Sequence, residues 1–164
     1  MRRLVTALAC AATVSAAPPD ARGIVAERVT KLTRAASWTL VAAVPIAFRT
    51  FHPQGMVKIG DALFVSSVEV VDRDAGAGAG HLFKMDMTGR LLAELRLGEG
   101  AIYHAGGIDY DGTHIWVPVA EYRPDSRSII YRVDPQTMKA AEMFRAGDHI
   151  GESSTTRTPT CCTA

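Results

Sequence analysis

Between Met56 and Leu97 the chain alternates apolar and polar residues in short runs separated by glycine-bearing turns, the period-two pattern of half-buried strands. The spacing predicts strand one near Met56–Ile59, strand two at Leu63–Ser67, strand three at His81–Asp86 and strand four at Arg90–Leu97. Gly60-Asp61 and Thr88-Gly89 supply tight turns between them. Upstream, Glu27 to Arg34 reads as a short helix and Trp38 to Ala43 as another strand. Phe64, Trp116 and Tyr131 fall where alternation places core side chains.

The same pattern then recurs. HPQGMVKIGDALFVSSVE (His52–Glu69) aligns without a gap on HAGGIDYDGTHIWVPVAE (His104–Glu121) at an offset of 52 residues. LFKMD (Leu82–Asp86) matches IYRVD (Ile130–Asp134) at an offset of 48, as does Ala93-Glu94-Leu95 with Ala141-Glu142-Met143. The second copy turns at Gly112-Thr113, or at Asp111-Gly112 with its pairing shifted by one residue. Four strands per unit of roughly 45–50 residues is the arithmetic of a β-propeller blade, with a plain β-sandwich as the alternative.

The expected architecture is therefore all-β: an incomplete β-propeller of about two four-stranded blades over residues 51–147. A lead-in at 18–50 carries the short helix and, at Trp38–Ala43, a closing strand of the kind donated to a last blade. A third copy starts at His149, but Glu152 stands where the repeated glycine belongs. The following SSTTRTPTCCTA has no alternating pattern, so residues 148–164 read as an aberrant or disordered tail. A truncated or frameshifted reading frame fits that abrupt stop, and its product could be non-functional.

The strings FHPQGMVKIGDALFVSSVEVVD (Phe51–Asp72) and HAGGIDYDGTHIWVPVAEYRPDS (His104–Ser126) resemble an uncharacterised family of secreted, propeller-like bacterial and fungal proteins. The likeness runs from Leu32 to Gly151. More distant similarity is to propellers that host lactonases, strictosidine-synthase-like enzymes, and polysaccharide or antibiotic lyases. Similarity of fold at that distance assigns no reaction.

The N-terminus has the layout of a secretory signal peptide over residues 1–17. Arg2-Arg3 precede the apolar run Leu4–Val14, and small residues at Val14–Ala17 precede Pro18-Pro19. The run is too short to span a membrane, as is Ala35–Phe48, which Pro45 interrupts. A secreted or periplasmic location is expected, with no transmembrane segment after signal removal. Ala7-Leu8-Ala9-Cys10 lacks the usual lipoprotein leucine three residues before the Cys, and adjacent Cys161 and Cys162 form no disulfide framework. The formal charge is +1, and loss of Arg2 and Arg3 takes it to −1, so no nucleic-acid partner is expected.

Candidate chemistry centres on His52, His104 and His149 with Glu69 and Glu121. If the paired turn residues are Gly60-Asp61 and Gly112-Thr113, each copy sets its His opposite its Glu. These groups would then sit near one rim of the channel. The three histidines are the candidate ligands for a possible divalent metal, and Glu69 and Glu121 the candidate binding residues. Acid–base work near neutral pH suits the imidazoles too. Purely structural ends also fit, His hydrogen-bonding a neighbouring blade's backbone and Glu pairing with Arg.

Weaker features have plainer readings. Ala75–Gly80 reads as a flexible hairpin loop, because a strand follows where a phosphate loop needs a helix. Asp109–Gly112 lacks the downstream calcium-loop Glu, and Ser66-Ser67 has no nucleophile elbow. The leading expectation is an exported binding or scaffold protein offering loops to a small molecule or cell-envelope component. A metal-dependent lyase or lactone hydrolase is the enzymatic alternative. Two blades alone leave apolar faces and strand edges bare, which favours self-association.

Overall fold

A computed structural model describes residues 21–123 and 125–155. The expected signal peptide, all three cysteines and the end of the tail lie outside the described residues. The chain divides into two compact units at Val41. The described part of the first holds one helix, α1 (Ala21–Thr30), closed by Thr30 Oγ1 donating to the Glu27 carbonyl and by a Lys31–Glu27 pair at 2.5 Å. The helix thus ends before Arg34, because turns at Lys31 and Leu32 follow that cap.

The described residues of the second unit form nine strands in two antiparallel sheets. The first sheet is a meander of β1 (His52–Ile59), β2 (Ala62–Asp72), β3 (Ala77–Asp86) and β4 (Leu91–Leu97). The second orders β5 (Ile102–Ala105), β7 (Ile115–Glu121), β8 (Ser128–Val133) and β9 (Ala140–Ala146), with β6 (Asp109–Tyr110) also on β7. Phe64 and Leu82 from one sheet and Ile115, Val117, Val119 and Ile129 from the other share one buried core. Trp116 and Tyr131 are only half-buried.

Register corrects the expected facing of His and Glu. Ile59 faces Ala62 and Tyr110 faces Ile115, so the turns are Gly60-Asp61 and Gly112-Thr113. Gly60 and Gly112 take φ of 56° and 99°, the left-handed region that glycine enters without steric cost. Further along, Gln54 is an extra residue between Pro53 and Gly55, and His52 pairs with Val68 rather than Glu69. In the second sheet residues 106–108 oppose only 117–118, and His104 pairs with Ala120 rather than Glu121. A β-bulge of one residue moves every later partner by one, which a turn-anchored count does not foresee.

The bulges sit where the two sheets meet. A Cβ on Gly55 would lie 2.8 Å from the Ile108 nitrogen and 2.9 Å from the Gly107 Cα, so bare backbone packs on bare backbone. Gly107 meets the chain again on its other side. Its N–H donates to the Gly151 carbonyl at 2.9 Å, and Ser153 N–H donates to the Gly107 carbonyl at 3.1 Å. Ser153 Oγ donates to the Trp116 carbonyl and the Thr155 hydroxyl to Asp109, at 3.0 and 2.6 Å. These bonds hold residues 151–155 against the second sheet, while most of the segment expected as an aberrant or disordered tail lies outside the described residues.

Two more expectations change. Residues 38–43 form no strand, and none of the described residues pairs with them; Trp38, Leu40 and Val41 are exposed. Ala77–Gly80 is the start of β3 rather than loop. Gly78 and Gly80 pass so close to the Tyr103 ring and the Leu97 carbonyl that a Cβ would collide at 2.5 and 2.8 Å.

Candidate functional site

The ends of β2 and β7, with the loops that follow them, form one rim of the second unit. Phe51, at the entrance to β1, holds a left-handed φ of 54°. Its ring stacks on His81 at 4.7 Å and lies under the Arg49 guanidinium, contacts that offset the strained backbone. His81 is fully buried between Phe51 and Phe83. Its Nδ1–H donates to Glu94 at 2.8 Å, while Nε2 lies 3.7 Å from Glu69 and makes no hydrogen bond. Glu69 therefore answers a buried histidine from β3, not the repeated one. His52 itself is exposed, accepts from the Gln54 amide at 3.3 Å, and shares with Glu69 and Arg73 a cleft of about 610 Å³.

In the second sheet Glu121 is buried at the end of β7, with 1% of its surface exposed. Arg123 Nε and Arg127 Nη2 donate to its two oxygens at 2.9 and 2.8 Å, and the Arg127 backbone N–H adds a third bond at 3.3 Å. The Arg123 and Arg127 bonds hold the carboxyl at about 2, below its ordinary 4.5, against burial, which raises it. Arg73, from the loop after β2, places its guanidinium 4.1 Å from the centre of the Tyr122 ring. Loops of both sheets thereby close around a cleft of about 650 Å³ lined by Arg73, Tyr103, Glu121, Tyr122, Arg123 and Arg127, among others.

His104 and His149 lie on the other side of Tyr122. The two rings are 6.1 Å apart, and His104 is 4.9 Å from the Tyr122 ring. His149 Nδ1–H donates to the Glu121 carbonyl at 3.1 Å, a backbone-binding role of the structural kind. His104 is half-buried and its Nδ1 has no hydrogen-bond partner. Burial first, and the neighbouring His149 second, push its pKa below the ordinary 6.5, so the imidazole is neutral at neutral pH. Among the described residues no three His, Cys, Asp or Glu side chains converge as a metal site would need. No helix among them is long and apolar enough to cross a membrane.

A family model matches residues 6–160, nearly the whole chain. The chain belongs to the DUF6454 family, a family of unknown function. No curated protein and no solved structure matches it. This DUF6454 chain therefore offers its own geometry as the guide to its chemistry. That geometry brings His104 and His149 to 6.1 Å of each other and sets His52 and Glu69 in one cleft with Arg73. The arginines and Tyr103 are absent from the repeat-based candidates because they sit outside the matched repeat positions. One signal does precede the structure: Arg at two and six residues past Glu121 is the spacing with which a loop can fold back on a strand-end carboxylate.

Proposed function

We propose that this chain is an exported, propeller-type binding protein whose loop rim holds a small molecule or cell-envelope component. The observation that carries this reading is the Arg73–Tyr122 contact at 4.1 Å, through which loops of both sheets wall one cleft. Ligand sites prefer concave surfaces with a few convergent polar groups on a rigid frame, and this cleft has that character. The blade reading is supported by the matching bulges and by the backbone contact at Gly55. It is supported too by Phe64, buried under the second sheet while its counterpart Trp116 is half-exposed on the opposite face.

The test is equilibrium dialysis of the full chain against a small-molecule extract of the cell envelope, with mass spectrometry of what is retained. Retention of one compound, chemically unaltered and lost in Tyr122→Ala, is the expected result. Conversion of the compound would replace this reading with an enzymatic one, and retention of nothing would end it. The exported location is tested by fractionating cells, where the expected result is the shortened chain outside the cytoplasm.

A further inference from the structure

We propose that the cleft walled by residues 73–76 on one side and by Glu121, Arg123 and Arg127 on the other binds a small organic anion, its oxyanion group seated on the three arginines beside the buried Tyr103. This inference rests on the binding reading above and names the class of ligand. Three guanidiniums and two carboxylates, Asp74 and Glu121, line the cleft. Its volume of about 650 Å³ falls among those of small-molecule sites, which run from about 300 to 1,000 Å³.

Glu121 does not neutralise the arginines so much as aim them. Each guanidinium carries five N–H donors and no acceptor, and the Glu121 oxygens engage one donor on each of Arg123 and Arg127. The carboxylate is buried while the two arginine side chains stay 62% and 65% exposed, anchored at one edge and accessible at the other. That is the arrangement in which a second oxyanion can be held by charge-assisted, paired hydrogen bonds. Arg73 is fixed from the opposite wall by its contact with the Tyr122 ring.

Tyr103 supplies a second, independent observation. Its side chain is buried in the wall of the cleft, seated against Gly78, where a Cβ would come within 2.5 Å of the ring. Its hydroxyl has no hydrogen-bond partner. Native structures leave few buried polar atoms unsatisfied, and such an atom on a residue that lines a cleft with three arginines points to an oxyanion or a water carried with it.

Titration calorimetry of the full chain with glucuronate, glucose 6-phosphate and glucose separates the possibilities. Saturable binding of either anion, weakened by salt, with none for glucose, is expected; whichever anion binds tighter tells carboxylate from phosphate recognition. Tyr103→Phe should weaken that binding roughly tenfold while raising the melting temperature of the free protein, since it removes the unsatisfied hydroxyl. Arg73→Gln should weaken it by a similar factor. A hydroxyl with a purely structural role would not move affinity and stability in opposite directions. Equal binding of glucose, absence of binding by both anions, or anion binding indifferent to both substitutions would each overturn the anion assignment. If the dialysis above still retains a neutral compound, the binding reading stands without it; if that also retains nothing, both fall together.

Discussion

Glu121 is a buried carboxylate whose two partners reach it from the surface, so replacing it acts on both fold and cleft. Glu121→Gln should lower the melting temperature by several degrees at pH 7, because the amide cannot take charge-assisted bonds from both arginines. Glu121 and His104, two of the groups whose pKa is depressed, act in separate windows. The unfolded Glu121 binds its proton near 4.5 and the folded one only near 2, so its stabilisation is present above pH 4.5 and fades as pH falls toward 2. The unfolded His104 binds a proton near 6.5 while the folded one resists, so stability declines as pH drops below 6.5 toward the lowered folded value. Melting curves between pH 8 and pH 2 should show both declines. His104→Gln should flatten only the upper one and Glu121→Gln only the lower. At this scale the sequence left open that Glu pairs with Arg and His with backbone, without saying which arginines or which backbone. The repeat singled out His and Glu, whereas Arg123, Arg127 and His81 act through folding-back and cross-strand neighbours that no spacing rule for a repeat contains.

At the scale of strands, two glycines in β1's hairpin make opposite demands. Gly60 needs a left-handed φ of 56° with open space around it, so Gly60→Asn should be nearly neutral, asparagine tolerating that conformation. Gly55 needs emptiness, because its Cβ would meet backbone atoms at 2.8 and 2.9 Å. Gly55→Ala should cost about 1–3 kcal/mol, the usual range for overpacking a site whose neighbours are main chain. Chemical denaturation of the two variants beside the parent checks the pair. Strand positions were legible in the sequence because alternation and turn chemistry are local, and all four strands of the first sheet overlap their predicted spans. The bulges were not legible. A single extra residue leaves the alternation on either side intact and shows only when both strands are in place.

For the molecule as a whole, the outer strands carry the exposed apolar surface. Leu92 on β4 and Met143 and Phe144 on β9 are 46%, 40% and 55% exposed, and among the described residues β4 and β9 end their sheets with unpaired edges. The chain should therefore self-associate in sedimentation experiments, and Phe144→Lys should shift it toward smaller species; a monodisperse monomer of the parent at high concentration would contradict this. The all-β class was open to inspection in the sequence, while export rests on residues 1–17 and is a matter for the fractionation experiment. The contact at Gly55 has a mechanical consequence. Because main-chain atoms set the spacing of the inner strands, bulkier side chains in the shared core cannot wedge that seam apart. They can only make the sheets splay like pages about a spine, least at Gly55 and most toward β4 and β9. A cleft walled by loops at one end of those pages would then widen or narrow with the splay, so core volume far from the arginines becomes a dial on the width of the mouth.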